Sequence, residues 1–429
     1  MMGFSQLVRW KRSKGRAGWI GLLPLLMPSI LEGASLESLR EALNPSLTLR
    51  LAAFEESKDI RDEAPVYPAS LWLKLEPEPI LETSFYLEGL ALHPGGEGEF
   101  QSEIREAYLE RSLGMLDLKL GRQITVWGRA DKLNPTDQLS SRDVRRLSSD
   151  DEDQRQGIGA AQLTYNLGDY RLIGLWQYEW RRPLYPILQD DPGMVLEQED
   201  PRNPAAQYAL KLDHAAGSVD WSLSWFEGFN RTPDIRWDGF DSGTLHLALV
   251  HQMIRVLGLD FAFNAAGIGW RGEFAHTRTG DPDGENLLVQ NNSNYGVFGG
   301  DRNLIENLNV NLQAFVTQVA KDSRSEPSLP LTEAVAAQLR TNSQQRHSYQ
   351  DGLSMRVNYK ALQETLEWEA VGVWNRQDHD SLFRPKVTYA WNDQLKSSLG
   401  AEIYQGRPET FFGSMEELSG GFVELRYGF

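Results

Sequence analysis

The 429-residue chain contains no cysteine. That excludes a disulfide framework, a thiolate metal site and a cysteine nucleophile. Beyond residue 34 no apolar run is long enough to cross a bilayer as a helix. Basic residues are scarce, with 43 Lys and Arg against 60 Asp and Glu, a formal net charge of −17. Residues 1–33 hold five basic side chains and one acidic one, a charge of +4, so the remainder stands at −21. So acidic a chain repels nucleic acid. Catalytic motifs are missing as well: the sequence has no G-x-S-x-G, no H-E-x-x-H and no phosphate-binding glycine loop. Its seven histidines (His93, His214, His246, His251, His276, His347 and His379) sit in no nucleophile motif. A rim hydrolase would have to rest on His246 and His251, which lie near an outer rim with acidic residues only at a distance. No catalytic residue and no cofactor is expected.

The chain opens with a basic segment, Arg9 to Arg16, then an apolar core from Ala17 to Leu31, then small residues at Gly33-Ala34-Ser35. This is the pattern of a cleavable signal peptide over 1–34, leaving a single domain over 35–429. Residues 35–43 fit one or two amphipathic helical turns, ended by Asn44-Pro45. From there the periodicity is two. Leu116, Leu118 and Leu120 alternate with Asp117, Lys119 and Gly121. Val219, Trp221, Leu223 and Trp225 oppose Asp220, Ser222 and Ser224. Leu366, Trp368, Ala370 and Trp374 oppose Glu367, Glu369 and Asn375. Alternation of this kind marks strands with one oily and one polar face. Only 41% of residues are hydrophobic. That suits a barrel, in which every second strand residue meets lipid.

The connections alternate in length. Short turns fall at Leu113-Gly114, Gly168-Asp169, Ala215–Gly217, Ala265–Gly267, Asp301–Asn303, Ala361-Leu362 and Asn392-Asp393. Long polar segments fall near 128–157, 181–203, 229–249, 278–291, 319–346 and 406–418, and the outer connection at 376–380 is short. Short periplasmic turns and long extracellular loops are the signature of an all-β transmembrane antiparallel barrel. The count is about eighteen strands, or sixteen if the two weakly patterned first strands are dropped. Two residues fit badly. Arg122 shares the parity of Leu120 and would meet lipid unless a bulge at Gly121 turns it inward. Pro385 falls inside a strand and calls for a bulge or a place near the rim.

The last ten residues put Val423, Leu425, Tyr427 and Phe429 on one face and Glu424, Arg426 and Gly428 on the other. This end resembles the closing strand of bacterial outer-membrane barrels. The resemblance makes Val423, Leu425, Tyr427 and Phe429 the signal read by the barrel-assembly machinery and places the protein in the cell outer membrane. A second resemblance rests on Arg105-Glu-Ala-Tyr-Leu109, Leu120-Gly-Arg-Gln-Ile-Thr-Val-Trp-Gly128, Asn134-Pro-Thr-Asp137 and Arg142-Asp143. Over about 45 residues the chain resembles a porin-like outer-membrane family of unknown function, in the style of the DUF1302 and alginate-export barrels. The resemblance implies a channel for small organic or hydrophobic solutes, possible alliance with an inner-membrane export partner, and no catalytic residues. The acidic exterior also suits contact with lipid and cation-bridged lipopolysaccharide.

Segment 128–157 is dense in both charges. Folded inward, it would narrow the bore and select by charge; left outside, it is a solvated loop of mutually neutralising ions. The candidate constriction residues are Arg122, Arg129, Asp131, Asp137, Arg142, Asp143, Arg145 and Arg146. Strand parity aims Lys119, Arg171, Lys211, Arg271, Glu273, Arg356, Glu367 and Glu369 into the lumen, which should be wet and of mixed charge. Helix formers over 331–340 suit either a plug or a surface helix. Gly280–Asn286 gathers three carboxylates without the calcium-loop spacing, so no metal is expected.

Overall fold

The computed structural model describes residues 40, 42–56, 66–96, 98–144, 146, 148–184, 194–320, 340–341 and 345–429. The expected signal segment, the expected helix at 331–340 save Arg340, and Arg145 lie outside them. Arg40, Ala42 and Leu43 are helical, and Asn44 ends the turn at φ +42°.

Eighteen strands follow in chain order: β1 Pro45–Glu56, β2 Ala69–Leu75, β3 Thr83–His93, β4 Gln101–Leu113, β5 Leu116–Gln123, β6 Ile158–Leu167, β7 Tyr170–Gln177, β8 Gln207–His214 and β9 Val219–Phe229. They continue as β10 Met253–Ala265, β11 Ile268–Arg278, β12 Ser293–Ile305, β13 Leu308–Val319, β14 Tyr349–Ala361, β15 Leu366–Asn375, β16 Asp380–Ala390, β17 Leu395–Gln405 and β18 Gly420–Gly428. Each strand pairs antiparallel with its sequence neighbours. The ring closes where β1 meets β18, with Leu49 opposite Tyr427, Leu51 opposite Leu425 and Ala53 opposite Val423. Phe429 N–H donates to the Leu47 carbonyl at 2.8 Å, which fastens the chain end to the first strand. Closure leaves no unpaired sheet edge, the condition for a sheet surrounded by hydrocarbon.

The outer face is oily. Leu118, Leu120, Leu172, Leu210, Leu223, Leu257, Trp368 and Leu425 are all exposed. An exposed apolar belt around a whole barrel is untenable in water and is the lipid-facing surface of a membrane-spanning barrel. Among the described residues no helix is long and apolar enough to cross a membrane. Strands make the crossing.

Several local expectations are corrected. Pairing from β4 through β5 to β6 runs unbroken from Leu116 to Arg122. Gly121 therefore makes no bulge. It adopts φ +133° and lies so close to β4 that a Cβ would strike the Ala107 carbonyl and the Tyr108 backbone, which only glycine avoids. Arg122 keeps the parity of Leu118 and Leu120, on the outer face at the end of β5. There Glu179 neutralises it at 2.6 Å. The bulge lies one strand over, where Arg105 is the extra residue opposite Glu88 and Gly89. Pro385 sits mid-strand, paired with Ala370. The ladder to β17 lapses at Arg384 and Pro385 and resumes in the same register, so neither a bulge nor the rim is used. The turn expected at Asp301–Asn303 falls instead at Glu306-Asn307, because β12 runs on to Ile305 past a bulge.

The loop end is more ordered than a set of solvated loops. Met194–Glu199 pairs parallel with Thr244–Val250, which pairs antiparallel with Asp234–Asp241. This small sheet is docked by Asp234, whose Oδ1 accepts from Gln290 N–H at 2.9 Å and Gln290 Nε2 at 3.1 Å. Burial pushes the Asp234 carboxyl up to about 6. His251 is also buried here, with Nδ1 2.7 Å from the Asn230 carbonyl, and burial pushes it down to about 4.

Candidate functional site

Segment 124–157, between β5 and β6, lies against the inner wall of the barrel. Its departure from the ladder has a local cause. The Ile124 N–H, which would continue β5, donates to Glu106 Oε1 at 2.7 Å. The strand therefore ends at Gln123, and the residues from Ile124 to Trp127 belong to the loop. Trp127 is buried, not placed at a lipid interface.

The first stretch is held by apolar seats, by one carboxylate that accepts from neutral donors, and by wall ion pairs at Arg129 and Asp131. Trp127 and Leu139 pack among Ala160, Leu175, Ala209, Phe226, Ile254, Val256 and Ala275. These wall residues come from six consecutive strands, β6 to β11. The lumen wall here is thus oily, where uniform polarity was expected from strand parity. Ala130 and Leu133 pack on a second cluster formed by Val297, Phe315, Val373 and Phe412. Between the two stands Glu273 of β11, only 3% exposed. Its Oε1 accepts from Ala130 N–H at 2.5 Å and Asn134 Nδ2 at 3.1 Å. Its Oε2 accepts from Thr136 Oγ1 at 3.1 Å and Thr136 N–H at 3.4 Å. The Asn-Pro-Thr sequence is therefore the receptor for a wall carboxylate. Gly128 is part of it: its φ is +110°, and a Cβ would collide with the Glu273 carboxylate.

The second stretch is held by ions. Asp153 pairs with Arg50 of β1, and Asp151 with Arg384 of β16. Ser149 Oγ donates to Glu424 Oε1 of β18 at 3.1 Å. Arg146 reaches Glu103 of β4 at 3.0 Å. Arg105 donates to Glu88 Oε1 at 2.6 Å and to the Arg155 carbonyl at 3.1 Å. Through these contacts the loop touches strands on every side of the ring.

The named candidates separate into groups. Arg129 binds Asp260 at 2.5 Å and Asp213 at 2.8 Å, spanning β8 and β10. Asp131 binds Arg356 at 2.7 Å. Asp137 binds Arg155 at 2.6 Å inside the loop. Arg142 belongs to a short ladder in which Ser141-Arg142 pairs with Arg155-Gln156. Asp143 is buried, with its N–H donating to the Gln154 carbonyl at 2.7 Å. Most of these charges are consumed as anchors. Among the described loop residues the exposed charged ones are Lys132 and Glu152.

On the wall, Arg171 pairs with Asp213, Lys211 with Asp260 at 3.6 Å and Arg271 with Asp301 at 3.2 Å. Glu369 pairs with Lys386 at 3.1 Å, and Glu367 accepts from Asn358 at 2.5 Å. Lys119 sits 3.7 Å over the Tyr108 ring. Sequence parity had no means of finding the loop's role for Glu273, Arg50 or Arg384. Those contacts join residues more than a hundred positions apart. Near Gly280–Asn286, Asp281 turns its carboxylate onto the N–H groups of Glu285 and Asn286, at 3.1 and 2.8 Å. No group of three or more metal-ligating side chains occurs among the described residues.

The barrel resembles solved structures in fold. OccK8 (OprE) of Pseudomonas aeruginosa superposes with a TM-score of 0.55 at 10% identity, over 90% of this chain and 97% of that one. OccAB4 of Acinetobacter baumannii gives 0.54 at 8% identity, again over 90% and 97%. OccK5 (OpdH) of P. aeruginosa gives 0.53 at 12%, with the same coverage. No curated protein matches the sequence. The model of a family described as "Protein of unknown function (DUF1302)" matches residues 96–407, and the chain belongs to that family.

Proposed function

We propose that this DUF1302-family barrel is an outer-membrane channel that passes small organic solutes by diffusion, with segment 124–157 as its constriction. The observation that carries the reading is the ring of wall contacts made by that segment, from Arg50 through Glu273 to Glu424. Eighteen strands enclose more space than wall side chains alone can fill. A loop tethered inside such a bore narrows it without sealing it by default, and its charges set which solutes pass. Lipid and lipopolysaccharide surround the barrel in this reading, and the Val423–Phe429 face is what the assembly machinery reads. No chemistry at a catalytic residue or cofactor is invoked.

Conductance of the purified protein in planar bilayers tests this. Steady ohmic current is the expected result, and a barrel with neither current nor solute flux refutes open diffusion. The loop's reach around the ring also supports a second reading, an accessory barrel plugged by its own loop that serves an export or surface-assembly system. Zero conductance together with a co-purifying periplasmic or inner-membrane partner would favour that one.

A further inference from the structure

We propose that Lys132 and Asp151 form the selectivity-determining bar of the constriction. The inference rests on the channel reading above and assigns its charge filter to two residues.

Lys132 has φ +65°, a left-handed conformation that costs energy for any residue with a Cβ. The Leu133 N–H donates to the Asp131 carbonyl at 2.8 Å across it. A three-residue turn with positive φ at its centre is rare and strained. The neighbours supply the constraint. Leu133 is packed against the Val297–Phe315–Val373–Phe412 cluster. The Asp131 carboxylate is held by Arg356 at 2.7 Å. The Gln313 amide, oriented to satisfy both its ends, brackets the Asp131 peptide at 3.0 and 2.9 Å. With both flanking residues drawn to the wall, Lys132 is left as the exposed residue of the turn. Strain of this kind at an otherwise well-anchored loop points to a use for the side chain it presents.

That use is visible in the partner. Lys132 Nζ lies 3.5 Å from Asp151 Oδ2. Asp151 is itself held by Arg384, whose other nitrogen binds Glu402 at 2.7 Å. The pair thus bridges the hydrophobically seated half of the loop to the ion-paired half. Arg129, Asp137 and Arg146 spend their charge on buried contacts, whereas the Lys132–Asp151 pair stays partly exposed. A partly exposed ion pair is weak and exchanges readily with solvent or solute ions. Its two charges therefore act on a passing ion while the bar itself yields.

The test uses the full barrel in planar bilayers under a KCl gradient. Lys132→Gly removes the charge and also the strain, so its melting temperature should equal or exceed that of the wild type. Its cation-to-anion permeability ratio should rise by about twofold or more. Asp151→Asn should shift the ratio the other way. Reversal potentials unchanged in both variants would overturn the proposal. Lys132→Cys adds an independent readout, because the chain has no other thiol. A charged thiol reagent should label the folded barrel stoichiometrically by mass, and a protected thiol would overturn the proposal whether or not the channel conducts. If the wild type carries no current, the channel reading fails. The bar is then judged by whether Lys132→Gly opens the barrel; a variant as silent as the wild type refutes it.

Discussion

The two halves of the inward loop reach the same wall by different physics. Residues 127–139 are seated chiefly by Trp127, Leu133 and Leu139 in apolar clusters and by Glu273 serving four uncharged donors, with ion pairs at Arg129 and Asp131 added to these. Residues 146–153 hold on through Arg146–Glu103, Asp151–Arg384 and Asp153–Arg50. Apolar burial and buried hydrogen bonds are nearly indifferent to salt, whereas ion pairs near water are screened by it. One half is thus built as a fixture and the other as an adjustable part. Lys132 and Asp151 meet where the two join.

The largest effect should come from attacking the fixture. Glu273→Ala leaves the N–H groups of Ala130 and Thr136 without an acceptor and takes from the Asn134 amide one of its two, the other being the Ala130 carbonyl. Unsatisfied buried donors cost heavily, and the local loss should be about 4 kcal/mol. Hydrogen exchange of residues 128–137 reads it directly. Protection that survives the substitution would show that the apolar seats suffice and that the contrast between the halves is overstated.

The same distinction can be sharpened at the loop-end sheet, where Asp234 also serves neutral donors. Its carboxyl titrates near 6, above the ordinary range, because burial disfavours the charge. Between pH 4 and 6 the folded form keeps a proton that the unfolded chain has released. Stability of this contact is therefore greatest below about pH 4, falls as pH rises towards 6, and is flat above. The full change is about 3 kcal/mol. Gln290 addresses only Oδ1, so Asp234→Asn preserves both bonds. It should remove the slope and stabilise the sheet at neutral pH, measured as the pH profile of thermal melting. A slope that persists in the variant would assign the titration elsewhere.

How much of this was legible in the chain follows from range. Strand parity is a local property. Leu116 to Leu120, Val219 to Trp225 and Val423 to Phe429 announce their faces within a few residues, so barrel, strand number and closing strand could be read. Arg122 was misjudged because its solution is a partner, Glu179, 57 positions away. Asn134-Pro-Thr-Asp137 stood out as a motif, yet its purpose is fixed by Glu273 on β11, which periodicity marks only as an inward carboxylate. The oily wall around Trp127 escaped for a related reason. Ala209, Phe226 and Val256 occupy inward positions, and alternation alone gives no warning when both faces of a strand are apolar. The charges of 128–157 that composition offers as a filter are mostly anchors, and only burial separates those two uses.

A smaller loss is expected from the adjustable half. Asp153→Asn keeps the shape and removes the charge that Arg50 binds, with Asp153 itself nearly buried. Arg50 would retain its place over the Trp72 ring, 4.5 Å from the centroid, so the cost should be about 2 kcal/mol. Exchange should quicken over 148–154 and leave 128–137 unaltered. Coupled loss in both stretches would mean that the loop moves as one body.

The mildest perturbation leaves the sequence intact. Raising KCl from 0.1 to 1 M shortens the screening length from about 10 Å to about 3 Å. The pairs at Asp151 and Lys132, each partly exposed, should weaken by roughly 1 kcal/mol or less. Glu273 accepts from uncharged groups in a dry seat and should not respond. Exchange protection of 148–154 should therefore fall with salt more than that of 128–137, where apolar seats and Glu273 add to the ion pairs of Arg129 and Asp131, and open-channel noise should grow faster than bulk conductivity accounts for. The comparison is internal to one molecule under one change of solvent, so global destabilisation would appear in both stretches and cannot imitate it. Equal response of the two halves would remove the distinction between fixture and adjustable part.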